Sequence, residues 1–191
     1  MQRQFEQELD RLKQRRAAGR IYVSLFGEIS AGKSSLIRAR LPNAEAEVSV
    51  RGGTTREVKE HHWRSPAGDE LVLVDVPGTN EVGVGLDRLA REEAQRSHLV
   101  LYVCDGDLTR SQWRELDGLL ELDKPSILAL NKSDRYSAEE LNQLMGRIGL
   151  RLREMGAERV ELVAIQAGGT QEMLRVMPDG REELVERERK P

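Results

Sequence analysis

Short runs of Val, Ile and Leu alternate along the chain with longer stretches whose apolar residues recur every three or four positions. The runs at 21–26, 71–74, 99–104, 126–130 and 160–165 are apolar nearly throughout, the pattern of parallel strands covered on both faces. Between them, 33–40, 86–97, 111–122 and 137–155 have helical spacing. The alternation predicts an α/β fold of three layers, with helices on both faces of a mostly parallel sheet. Glu57 to Arg64 alternates instead, and is expected as an antiparallel strand at the sheet edge. Residues 2–18 place Phe5, Leu9 and Leu12 on one narrow stripe of a charged stretch, which predicts an appended docking helix. At the other end, Arg175 to Arg187 carries short apolar runs around Pro178-Asp179-Gly180, a hairpin signal for which a terminal tail with a turn is the alternative. The expected organisation is a helix over 1–19, one domain over 20–170, and a hairpin or tail over 171–191.

Composition narrows the function classes. The 191 residues, 38% of them hydrophobic, suffice for one sizeable core. Lys and Arg number 30 against 33 Asp and Glu, a net charge of −3, so nothing in the overall balance favours nucleic acid. No run reaches the roughly 20 apolar residues of a membrane span, and the charged start is unlike a signal peptide; a cytoplasmic location is expected. Cys104, the lone cysteine, reads as a buried spectator in a reducing compartment.

Three turns carry the chemistry. Gly27-Glu28-Ile29-Ser30-Ala31-Gly32-Lys33-Ser34 fits G-x-x-x-x-G-K-[ST] between a predicted strand and a predicted helix, the context that motif requires. Its glycines let successive amides converge on phosphates, and the N-terminus of the helix, with Ser35 in its first turn, adds positive potential. Lys33 would neutralise phosphate oxygens and Ser34 would bind magnesium. Asp75-Val76-Pro77-Gly78 follows the run 71–74, so Asp75 falls at the C-terminal end of a strand, where it can hold magnesium through water; the Gly78 amide can approach a γ-phosphate. Asn131-Lys132-Ser133-Asp134 ends the run 126–130. A carboxylate at Asp134 accepts two hydrogen bonds from guanine N1 and N2, whereas adenine would leave it unpaired. Asn131 would bridge toward the base and the phosphate loop, and the Lys132 stem would cover the ring.

These motifs, in this order, resemble a P-loop GTPase of the translation-factor-related class with an Era-like G domain, over about residues 20–170. The resemblance implies a P-loop NTPase G domain, binding of GTP and GDP, hydrolysis of GTP, and a magnesium ligand set of Ser34, Thr55 and Asp75. Thr55 is chosen within Gly53-Thr54-Thr55-Arg56, with Thr54 as the fallback. The base loop departs from the family's Ser-Ala: Val163-Ala164 stands there, so only a backbone contact from Ala164 carries over. Ras-like proteins have a water-positioning Gln where this chain has Thr79, which implies slow hydrolysis alone. Ser30 stands where potassium-activated Era-like relatives carry Asn and dynamin-like GTPases carry Ser, which implies a monovalent cation, K+ or Na+, supported by Ser30. Ser30, Lys33, Thr55 and Gly78 are the expected catalytic set.

Other signals are set aside. Asp105-Gly106-Asp107 begins like a calcium loop, but Arg110 and Leu116 occupy the positions needing Gly and Glu. His61 and His62, adjacent on an alternating strand, point to opposite faces and cannot chelate together. Gly83-Val84-Gly85 lacks the third glycine of a dinucleotide fingerprint, and Trp113 between Arg110 and Arg114 reads as a helix face. The expected function is a GTP-driven switch in which residues 42–56 and 76–92 relax after hydrolysis, with an unidentified effector protein. The alternatives are GTP-dependent assembly, as a homodimer or beside a membrane, and RNA-binding assembly. The final helix of such a domain has no counterpart before Pro191, so any membrane segment is expected in a region missing from this chain.

Overall fold

The computed structural model describes residues 19–40, 45–50, 57–65, 68–77, 86–167, 170–176 and 182–188. Among them, seven strands form one sheet in the order β2-β3-β4-β1-β5-β6-β7: β1 (Arg20–Phe26), β2 (Glu45–Val50), β3 (Glu57–Arg64), β4 (Glu70–Asp75), β5 (Leu99–Cys104), β6 (Ser126–Leu130) and β7 (Glu161–Ala164). β4, β1, β5, β6 and β7 run parallel, and β3 runs against its neighbours. Two further strands, β8 (Thr170–Val176) and β9 (Glu182–Glu188), pair antiparallel in a separate sheet. The turn Pro178-Asp179-Gly180 and the expected helix over 2–18 lie outside the described residues.

The antiparallel strand is the expected one, but its place differs. β3 lies second from the edge, because β2 pairs along its outer side from Glu45↔His62 to Val50↔Glu57. The alternation of β3 reflects unequal covering of its two faces: Val58 and Glu60 are buried, whereas Lys59 and Trp63 are exposed. β2 alternates too, and lies inside the stretch expected to relax, 42–56.

Helices cover the sheet unequally. α1 (Lys33–Arg40) packs on one face, where Leu36 and Ile37 meet Val23, Leu25, Leu73 and Val103. α2 (Arg88–Arg96), α3 (Arg110–Leu120) and α4 (Ala138–Glu154) pack on the other, through Ala90, Leu116 and Ile148 against Tyr22, Val72, Tyr102 and Leu128. Strand registers place these two residue sets on opposite faces. Side-chain caps start the last three helices: Asp87 accepts from the Ala90 amide, and Thr109/Gln112 and Ser137/Glu140 form complete capping boxes. Since the central strands all run the same way, their C-terminal ends gather the loops after β1, β4, β5 and β6 on one rim.

Candidate functional site

The loop after β1 turns tightly enough to need glycine twice. Gly27 has φ +120° and Gly32 φ +94°. A Cβ at Gly27 would collide with the Val103 carbonyl, and one at Gly32 with the Asn131 amide group. Both positions therefore require the absent side chain for space as well as for backbone conformation. Between them, Ile29–Ala31 form a single 3₁₀ turn capped by Glu28, whose carbonyl accepts from the Ala31 amide at 3.1 Å. The Leu36 amide donates to the Gly32 carbonyl at 2.9 Å, starting α1. Ser35 is half-buried in that first turn.

Lys33 lies across this loop with 5% of its surface exposed, donating to the carbonyls of Gly27 at 2.6 Å and Glu28 at 3.1 Å. Burial lowers its pKa, against the opposing pull of Asp75, Glu115 and Glu28. Ser34 Oγ donates to Asp75 Oδ2 at 3.5 Å, so the two expected magnesium ligands, 41 positions apart in sequence, meet at the loop. A hydroxyl and a carboxylate are the hard oxygen donors that magnesium takes, and the pair fits that ion. Among the described residues no cluster of three or more His, Cys, Asp or Glu forms a metal site. Thr55 and Gly78 lie outside the described residues, as does Thr79.

The loop after β6 ties the other turns together. Asn131, 2% exposed, donates from Nδ2 to the Ala31 carbonyl at 2.9 Å and accepts at Oδ1 from the Ala167 amide at 3.0 Å. Its own amide donates to the Cys104 carbonyl at 2.7 Å. Lys132, with φ +58°, donates to the Ser30 carbonyl and to Asp105 Oδ2, each at 2.6 Å. Asp134 sits in a 3₁₀ turn, Ser133–Arg135, with its side chain exposed. The Ser133 amide donates to the Ile165 carbonyl at 3.2 Å, which joins this turn to the loop after β7.

Two contacts at this rim were not expected from the sequence. The expected base contact, Ala164, is the exposed last residue of β7, whereas the amide brought to Asn131 belongs to buried Ala167. Asp105 looked like the start of a rejected calcium loop, and instead anchors Lys132 while its carbonyl accepts from Tyr136 Oη at 2.9 Å. Its position, directly after a buried strand at the ligand-binding rim, was the available signal.

Comparison with known proteins follows this geometry. A family model described as "50S ribosome-binding GTPase" matches residues 22–132, more than half of the chain, from β1 to the Asn131-Lys132 turn. The chain belongs to that GTPase family. Among curated relatives, the tRNA modification GTPase MnmE of Paramagnetospirillum magneticum is 30% identical over 84% of this chain, and GTPase Der of Deinococcus deserti is 32% identical over 81%. The chain spans 37% and 36% of the lengths of those two proteins. Among solved structures, Era of Aquifex aeolicus bound to GDP·AlF4− is similar over 78% of this chain and 51% of its own, with TM-score 0.59 and 23% identity. The G domain of the T. maritima FeoB iron transporter is similar over 78% and 88%, with TM-score 0.57 and 24% identity. These likenesses establish the Era-like G-domain fold for a GTPase family member. Among the described residues, no helix is long and apolar enough to cross a membrane.

Proposed function

We propose that this domain binds GTP at the rim, hydrolyses it to GDP and phosphate, and uses the difference between the two as a switch. The observation that carries the proposal is the meeting of Ser34 with Asp75 beside a lysine held across the loop, while Asn131 fastens the base-side turns to that loop. In this assignment the loop amides and Lys33 face the phosphates, and Ser34 and Asp75 hold magnesium with Thr55 as the third protein ligand. Magnesium supplies Lewis acidity toward the phosphate oxygens. Asp134 reads guanine N1 and N2, the Lys132 stem covers the ring, and the Ala164 backbone is the base-loop contact, on a loop that the Ala167 amide fastens to Asn131.

Hydrolysis is in-line attack by water, with positive charge and oriented amides stabilising a transition state that spreads negative charge over the transferred group. The exposed Ser30 supports a monovalent cation, K+ or Na+, as an added charge; equal turnover in sodium, potassium and choline salts removes it. Calorimetric titration with GTP, GDP and ATP, with and without magnesium, tests the assignment: GTP and GDP bind, ATP does not, and magnesium tightens GTP. Tight ATP binding, or none of the three, overturns it.

RNA association is a second function to test, because Era was also solved in complex with MgGDPNP and nucleotides of 16S ribosomal RNA. Filter binding at two salt concentrations decides it, since phosphate contacts weaken steeply with salt.

A further inference from the structure

The sheet is sealed on one face and open on the other. On the face packed by α2, α3 and α4, Val100, Tyr102 and Leu128 are fully buried. Their neighbours on the same two strands, Leu99, Leu101 and Ile127, point to the opposite face and are only half-buried, although β5 and β6 lie inside the sheet. Register sets Leu99 level with Val23 of β1, and Ile21, two residues earlier on that face, is 55% exposed. Among the described helices only α1 packs here; it is eight residues long and meets Val23, Leu25 and Val103, leaving the end away from the rim uncovered. Ile21, Leu99, Leu101 and Ile127 therefore form an apolar patch, the kind of surface that marks an interaction.

We propose that residues 2–18 of the same chain, which lie outside the described residues, form a helix that docks its Phe5, Leu9 and Leu12 stripe on this patch and so completes the second face of the sheet. The stripe is flanked by charges, Glu8, Asp10, Arg11 and Lys13 among them, so such a helix has one side to bury and the others to leave in water. The dimensions agree. From Phe5 to Leu12 a helix rises about 10 Å, and the patch reaches about 10 Å from β1 across β5 to β6.

The point of attachment favours this occupant. Leu12 precedes Ile21, the most exposed residue of the patch, by nine positions. The chain enters β1 through Gly19, which stands in a turn with φ +64°. A left-handed turn there lets the preceding segment fold back over the sheet instead of running on from β1. Attachment at β1 also holds the stripe at an effective concentration on the order of millimolar, which favours docking within the chain over capture of a second copy. The inference is independent of what the rim binds.

Limited tryptic digestion of the full chain, read by mass spectrometry, tests it at Arg11, Lys13, Arg15 and Arg16, which share the segment with the stripe. Wild type is expected to be cleaved there slowly. Leu9→Glu, on the segment, and Ile21→Glu, on the sheet, should each speed that cleavage about tenfold, since each puts a carboxylate into the apolar contact and raises the population of the opened segment. The double variant should be no faster than either single one, because the contact is already lost. These ratios should be the same at low and high protein concentration. With the patch bare, Ile21 is a surface position, and Ile21→Glu would leave cleavage at residues 11–16 unchanged. Equal rates in wild type and either single variant, or effects that multiply in the double variant, overturn the inference. Protection that rises with protein concentration overturns it too, and assigns the patch to a second copy. Circular dichroism checks that Ile21→Glu keeps the fold; if it does not, Ile21→Thr, which removes apolar surface yet suits a strand, is read in its place by the same criteria.

Discussion

The two ends of the sheet use charge in opposite ways. At the far end, the N-terminal edge of β1 and β4, Glu70 is buried among Arg20, Arg64 and His62, with His62 Nδ1 at 3.2 Å and a guanidinium nitrogen of Arg64 at 3.8 Å. Opposite charges there neutralise one another. At the rim, Lys132 pairs with Asp105 as well as with the Ser30 carbonyl, but Lys33 donates to the carbonyls of Gly27 and Glu28. Carbonyls orient a cation without cancelling its charge, so Lys33 keeps positive potential available to an anion. A self-neutralised cluster holds the fold, whereas oriented but uncancelled charge marks the working end.

Substitutions at the two ends should separate affinity from stability. The largest effect is expected from Gly32→Ala, which combines an unfavourable φ with a collision at Asn131: together about 4 kcal/mol, or roughly a thousandfold loss of GDP affinity by calorimetry. Retained affinity would mean that the loop has another way to pass Asn131. Next is Asp134→Asn, for which guanine nucleotides should weaken about a hundredfold while xanthine nucleotides gain, measured by competition binding. Unchanged GTP preference counts against the assigned base pocket. Asp105→Ala, which frees Lys132 from its carboxylate while leaving the Ser30 contact, should weaken GDP about tenfold and mainly through faster release, seen by stopped-flow with a fluorescent nucleotide.

The smallest effect on binding, and the sharpest contrast, is expected from Glu70→Gln. Affinity should not change, while stability in urea falls by about 1 kcal/mol, the scale of a multi-partner ion cluster. Burial alone would raise the Glu70 pKa, but His62 and the neighbouring guanidiniums bring it below the ordinary carboxylate value. A depressed folded-state pKa gives stability that is present above the unfolded value and lost as pH falls through the folded one, so wild type and Glu70→Gln should converge only below about pH 4. A change in GDP affinity in this variant would remove the distinction between the two ends.

The legible part of the fold was the part with local repetition. Five apolar runs and four helical patterns reappear as β1, β4 to β7 and α1 to α4, within two residues at each boundary. The pattern at 45–50 was not legible as a strand, since six alternating residues beside an expected moving loop do not show which partner will pair with them. Lys33, Ser34, Asp75 and Asn131 were legible because each is fixed by its neighbours in a short motif. The contacts of Asp105 and Ala167 were not, because each meets its partner, Lys132 or Asn131, from 27 or more positions away.

By itself, the order of residues determined the α/β alternation, the glycine-bearing phosphate loop and the carboxylates at strand ends, since turn chemistry and periodicity act over a few positions. Only the tertiary structure decided which strand closes the sheet, which amide meets Asn131, and which carboxylate meets Lys132. Those depend on strand order and on packing across the sheet, where residues far apart in the chain are brought within hydrogen-bond distance and their charges begin to act on one another.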